Sequence, residues 1–248
     1  DEVDKLKLPD PYRDPLLSEL LKATRIVVDE IGDQAFVIGR ADQGPFSLAC
    51  EIRGMSEFLL DIALNEQPDK IHQLLDFCRQ ACYHYAVAQI EQGAHATSIG
   101  DSTSGPDVIS PMYYRKFAYP YVKRLVDDLA SQNIVLAYHI CGNSTSIIED
   151  MVNSGAAILE IDQKADLRKS KAAAAGKATL LGPVDPSEIM AYGTPDQVRA
   201  RCCDALEIRV RGGGLILGPG CALPATTPDE NIFAMIETAK AYQPYPTL

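Results

Sequence analysis

No apolar run in the 248 residues is long enough to span a bilayer, so no membrane helix is expected. No signal peptide opens the chain, which begins at Asp1 rather than at Met. Positive charge is scarce: 23 Lys and Arg stand against 34 Asp and Glu, a formal net charge of -11. A nucleic-acid partner would want a basic face, and the charge for one is lacking. No G-x-G-x-x-G follows any strand-like run and no P-loop is present, so the glycine-rich phosphate cradle of an open nucleotide-binding sheet is missing. The seven cysteines are an odd number in a chain far longer than a disulfide-stapled miniprotein. Reduced thiols and a cytoplasmic location are the expectation.

What is present is a folded domain's composition, with 46% hydrophobic and 23% charged residues. The length suits one α/β barrel-sized unit, and residues 1–248 are read as a single domain. Short apolar runs of buried-strand length alternate with longer amphipathic stretches. The runs cover 35–40, 96–101, 134–140, 157–162, 178–183 and 214–220. Helices are expected over 16–31, 46–64, 68–92, 111–131, 144–153, 195–210 and 228–242. Cys50, Cys78, Cys82 and the Cys202-Cys203 pair fall in this helical sequence. Gly212-Gly213-Gly214 reads as a helix stop and turn.

Strand-helix repetition gives a parallel sheet with helices outside. Six strands are two short of a TIM-type (β/α)8 barrel. The start at Asp1 leads to the expectation that N-terminal βα units of such a barrel are missing from this chain. An open six-stranded sheet is the alternative.

In parallel α/β folds the site lies at the carboxyl ends of the strands. The polar endings are Arg40 and Asp42, Asp101, His139 and Cys141, Asp162, Asp185, and Cys221. His139 and Cys141 are two apart on one strand, so both project to the same side. With Cys221 from the last strand they make a set of one histidine and two cysteines. Three ligands with a fourth position left open is the pattern of a catalytic zinc. A core histidine with two inert thiols is the competing reading.

The stretch Gly218-Pro219-Gly220-Cys221-Ala222-Leu223-Pro224, followed by Thr227-Pro228-Asp229-Glu230-Asn231, resembles the zinc-dependent branch of the uroporphyrinogen decarboxylase superfamily. So does Tyr138-His139-Ile140-Cys141-Gly142. The resemblance extends to Pro45-Phe46-Ser47-Leu48-Ala49, to the region of Asp101 and to Leu181-Gly182-Pro183-Val184-Asp185-Pro186, nearly the whole chain. It implies a TIM barrel with an N-terminal extension that is absent here. It implies a methyltransferase moving a methyl group between a corrinoid protein carrying methylcobalamin and a small thiol such as coenzyme M. Members of the decarboxylase branch carry Gly-His-Gly at the last strand end; here Gly218-Pro219-Gly220 offers no imidazole. The Gly-Asn that often precedes the Asp-Pro of this family is Gly182-Pro183 in this chain.

Zinc suits thiol methylation because coordination presents a thiol as thiolate near neutral pH. Two cysteinates and a neutral histidine leave the metal formally uncharged, so an added thiolate keeps its nucleophilicity. Asp162 is a candidate fourth ligand, or else a cap of the next helix. Asp101 is expected to orient His139, or else to form a turn with Ser102 to Gly105. Arg40 and Arg53 are candidates to hold an anionic group on the substrate, such as a sulfonate, against the commoner fate of an ion pair. His72, His84 and His95 are read as structural. A tetrapyrrole decarboxylase and a non-catalytic zinc-binding partner of a corrinoid protein are the rival readings.

Overall fold

Six parallel strands form one sheet in chain order: β1 (Ile38–Gln43), β2 (Ala96–Gly100), β3 (Leu136–Ile140), β4 (Ile158–Ile161), β5 (Thr179–Val184) and β6 (Leu215–Pro219). The computed structural model describes residues 2–208 and 214–242, with Asp42 described by its backbone alone. The expected turn at Gly212-Gly213 and the expected helix end at Val210 lie outside the described residues. A doubly wound sheet reverses its strand order at a switch point; a barrel does not. Sequential order with a helical crossover at every step is that of successive staves of a (β/α)8 barrel. Among the described residues β1 and β6 are not paired with each other. No helix among them is long and apolar enough to cross a membrane.

Helix α1 (Pro15–Ile31) precedes β1, and α2 (Pro45–Arg53), α3 (Met55–Leu64) and α4 (Pro68–Glu91) fill the first crossover. Then come α5 (Pro111–Tyr113) and α6 (Tyr119–Ala130), α7 (Ile148–Asn153), α8 (Leu167–Ala174), α9 (Pro195–Ile208) and α10 (Asp229–Ala241). Several starts are written in the sequence. Asp14 accepts from the amides of Leu16 and Leu17 at 3.0 Å, with Pro15 in the first turn. Pro45 and Pro68 likewise stand in the first turns of α2 and α4, there without a side-chain cap.

Three expectations change in detail. The stretch 46–64 is two helices, broken at Gly54, whose φ of 90° few residues other than glycine adopt. The stretch 111–131 contains a π-helical turn over Tyr114–Ala118, just before Pro120, whose missing N–H interrupts regular helix bonding. Helix α8 was not anticipated: its buried face is Ser170 and Ala174, which carry no large-apolar periodicity.

Strands β2 and β3 are buried at every residue, because helices cover one face and the barrel interior the other. Register fixes which face is which. Tyr138 turns outward, its hydroxyl 3.3 Å from that of Tyr114 on the helical layer. The residues alternating with it therefore face inward. Arg40, Ser98, Ala137, Ile158 and Thr179 form one inner layer. Gly100, His139, Glu160, Leu181 and Ile216 form the next, toward the carboxyl ends.

Candidate metal centre

His139 enters the site from β3, one residue before the strand ends, and Cys141 follows just beyond it. The end of β3 is tied to its neighbour, since the Asp101 amide donates to the His139 carbonyl at 2.8 Å. After Cys141 the chain turns at Gly142, with φ of 80°. A Cβ there would be strained by that φ and would push aside the Asp107 carboxylate, whose oxygen lies 2.1 Å from its position. Cys221 arrives from the far side of the sheet. The Gly220 amide donates to the Val184 carbonyl at 2.7 Å, and a Cβ on Gly220 would stand 2.7 Å from the Gln163 amide nitrogen. That close backbone approach brings the loop after β6 against the loop after β4, and Cys221 with it.

The three predicted ligands come together. His139 Nε2 is 3.0 Å from Cys141 Sγ, and Cys141 Sγ is 3.6 Å from Cys221 Sγ. All three atoms lie within 4.8 Å of one another. His139 Nδ1 stands 3.0 Å from the backbone carbonyl of Glu160. A carbonyl only accepts, so Nδ1 carries a proton, and Nε2 is the atom that would hold a metal once it gives up the proton it shares with Cys141. The hydrogen bonds from Cys221, His139 and Ser102 hold the Cys141 thiol well below its usual range. Cys221 is pushed up, first because it donates its proton to Cys141 and then by burial. Burial disfavours a charged His139, yet the Cys141 sulfur and the Glu160 carboxylate outweigh it and raise the imidazole. The centre thus gathers negative charge on sulfur at a partly buried point.

A tetrahedral zinc with Zn–S of about 2.3 Å and Zn–N of about 2.1 Å would space two sulfurs by roughly 3.8 Å, and nitrogen from sulfur by roughly 3.6 Å. The observed separations, 3.6 and 3.0 Å, need only small adjustments. Two thiols and an imidazole are also the soft donor set that zinc favours.

The other predicted residues are placed as follows. Asp162 is buried and accepts twice, from the Gly142 amide at 2.8 Å and the Lys164 amide at 2.9 Å. It braces the turn that presents Cys141. Asp101 is fully buried, but its carboxylate accepts from the Ser47 amide at 2.6 Å and not from His139. The histidine's orienting partner is the Glu160 carbonyl instead, because strand pairing brings that backbone alongside. Burial pushes the Asp101 carboxyl up to about 6, and its second oxygen has no partner. Arg53 is not brought to the thiols; it ends α2, half-exposed, in an ion pair with Asp61 at 2.8 Å. Arg40 faces inward one layer below His139. Asp185 caps the turn after β5 through the amides of Ser187 and Glu188. Of the histidines read as structural, His72 faces Tyr121 Oη at 2.7 Å and His95 accepts from the Val37 amide at 2.9 Å.

Two residues at the site were not singled out from sequence. Glu160 shares the inner face with His139. Strand alternation would have found it, two residues before Asp162. Ser102 donates to Cys141 Sγ at 3.0 Å. No spacing rule signals that contact, which depends on how the loop after β2 folds over β3.

Fold and centre together define a TIM-type barrel protein with a candidate site of one histidine and two cysteines at its strand carboxyl ends. The chain belongs to the uroporphyrinogen decarboxylase (URO-D) family, whose profile matches residues 1–242. It is 34% identical over 227 residues to the methylcobamide:CoM methyltransferase MtbA of Methanosarcina mazei, covering 92% of this chain and 64% of that protein. It is 32% identical over 224 residues to the methylcobamide:CoM methyltransferase MtaA of Methanosarcina barkeri, covering 90% and 63%. A uroporphyrinogen decarboxylase of Prochlorococcus marinus is 29% identical over 233 residues, covering 92% and 64%. The chain thus spans just under two thirds of these relatives' length. A solved methyltransferase structure from Methanosarcina mazei superposes with a TM-score of 0.87 at 27% identity, covering 96% of this chain and 68% of that one.

Proposed function

We propose that this chain carries the metal-binding barrel portion of a zinc-dependent methyltransferase, which moves a methyl group between a partner corrinoid protein and a small thiol. The observation that carries the reading is the convergence of His139 Nε2, Cys141 Sγ and Cys221 Sγ at the strand carboxyl ends. A structural zinc site closes with four protein ligands; three leave a place for a substrate. The relatives named methylcobamide:CoM methyltransferases support methylcobamide as donor and coenzyme M as acceptor.

When bound, zinc would supply a Lewis acid that holds the substrate thiol as its thiolate. The residues of the chain do the rest. The Glu160 carbonyl fixes the tautomer and tilt of His139. Asp162 holds the Gly142 turn and so the position of Cys141. Each Asp162 oxygen accepts one amide and keeps a second lone pair. The Glu160 carboxylate, on the inner face beside His139, is placed to take the proton released by the incoming thiol. Arg40, on the inner face one layer below, is the candidate to hold an anionic tail such as a sulfonate. Methylcobalamin on the partner would supply the methyl group, with cobalt keeping the electron pair of the broken bond, and the part of this chain would be to hold the acceptor thiolate toward it. The corrinoid arrives on its own protein over the barrel mouth.

Elemental analysis of the complete protein and of its Cys221→Ala variant tests this. About one zinc per chain, lost or greatly weakened in the variant, together with methylation of coenzyme M by methylcobalamin, is expected. Zinc without methyl transfer returns the non-catalytic partner reading. No zinc in either protein returns the tetrapyrrole decarboxylase, which needs no metal.

A further inference from the structure

A methyltransferase that works on thiolates carries a hazard. Any protein sulfur that binds the metal stands beside the same electrophilic methyl group as the substrate sulfur. The structure aims a hydroxyl at one of the protein's two sulfurs. Cys141 Sγ receives the hydroxyl of Ser102 at 3.0 Å. Cys221 Sγ stands 3.6 Å from Cys141 Sγ. A hydrogen bond to a thiolate draws charge from sulfur and makes it a poorer nucleophile.

Ser102 is held firmly for this task. The amide before it, at Asp101, is bonded to the His139 carbonyl at 2.8 Å. The amide after it, at Thr103, donates to Ser47 Oγ at 3.2 Å. Its own carbonyl accepts from the Gly105 amide at 3.1 Å. A short 3-10 turn over Ser102–Ser104 therefore aims the hydroxyl at one sulfur.

We propose that Ser102 is a positioning and selectivity residue: its hydroxyl donates to Cys141, withdraws charge from that sulfur, and so reserves methylation for the substrate thiolate. The inference rests on the reading of His139, Cys141 and Cys221 as a metal site, and its test separates the two.

The complete protein is loaded with Co²⁺ or Zn²⁺ as wild type, Ser102→Ala and Ser102→Thr. The cobalt forms are compared by near-ultraviolet sulfur-to-cobalt absorption. The zinc forms are treated with methyl iodide in the absence of thiol substrate, and methylated cysteines are mapped by mass spectrometry. In that reaction a sulfur–carbon bond forms, the carbon–iodine bond breaks and iodide leaves. Removing the hydroxyl is expected to raise Cys141 methylation roughly three- to tenfold, the worth of one hydrogen bond, and to leave Cys221 unchanged. The absorption band should move to longer wavelength, since an unshielded sulfur gives up its electrons more easily. Ser102→Thr, which keeps the hydroxyl, should behave as wild type. A purely structural Ser102 would lower metal content without changing the band or the methylation ratio. Metal bound with identical bands and methylation in all three proteins overturns this proposal alone. Failure of the wild type to bind either metal overturns the metal site and the proposal together.

Discussion

Two groups of cysteines lie near the ends of β2 and β3, and they are chemically opposite. Cys141 and Cys221 meet His139 and Ser102, and the polar hydrogens around Cys141 keep its proton loosely held. Cys50, Cys78 and Cys82 lie between α2 and α4 with 1%, 0% and 3% exposure. Burial pushes the Cys50 thiol up to about 11 and the other two also well above the usual range. The nearby Asp101 charge adds to all three. Asp101 stands between the groups: its amide reaches the strand of the metal centre, and its carboxylate reaches α2. The lesson is that a thiol's reactivity is set by the donors aimed at it and by its access to water.

The sharpest way to break the comparison is to ask the thiols themselves. In metal-free protein at pH 7.5, iodoacetamide should modify Cys141 on the order of a thousandfold faster than Cys78 or Cys82, because only a thiolate in reach of reagent reacts. Exposed Cys203 supplies an internal reference. Added zinc should protect Cys141 and Cys221 and leave the buried three as they were. Comparable labelling of Cys78 and Cys141 would erase the distinction. Peptide mass spectrometry over a time course reads every site at once.

A second effect belongs to the residue between the groups. Asp101 is fully buried, and burial raises its carboxyl from 3.8 to about 6. A carboxyl raised on folding binds its proton more tightly in the native state than in the unfolded chain. Its contribution is therefore best at low pH and declines as pH rises from about 4 to about 6, by roughly 3 kcal/mol. Above that window the loss is complete. Asp101→Asn keeps an oxygen for the Ser47 amide and removes the titration. The stability of the variant relative to wild type should thus improve by about that amount between pH 4 and pH 7, read by urea unfolding at several pH values. A difference that stays flat with pH would mean that Asp101 is solvated or charge-compensated.

Much of this was legible beforehand, for identifiable reasons. The six strands are short apolar runs, with β2 and β3 buried on both faces, and such runs stand out by apolarity alone. His139 and Cys141 followed from strand alternation, and Cys221 from its place at the end of the last strand. Glu160 obeyed the same alternation and could have been included. Helix α8 left no trace because its buried side is a serine and an alanine, although Asp166 at its start, accepting from the Lys169 amide at 3.0 Å, was a readable cap. Arg53 shows the opposite difficulty. A charge near a motif looks functional in sequence, but its partner Asp61 lies eight residues on, across the Gly54 break, and the folded turn brings them together. Asp101 was singled out as a strand-end carboxylate expected to orient His139, but its carboxylate meets the Ser47 amide instead, since one strand's end gives no view of which amide will approach it.

The smallest effect is the most specific control. Cys78→Ala removes one sulfur from a site with no exposure. The transfer term for a group of that size is about 1 kcal/mol, and the cavity adds little where a helix side chain can settle. Stability should fall by about 1–1.5 kcal/mol, seen as a lower urea midpoint with an unchanged slope. Metal content, the methylation pattern of Cys141 and the cobalt spectrum should all match wild type, because Cys78 makes none of the contacts that shape the centre. A variant that folds with the expected loss yet releases its metal would show that α4 packing and the metal centre are energetically one unit, with Asp101 as the natural link between them. A variant that keeps its metal while losing that stability would establish that the two groups share a residue type and nothing more.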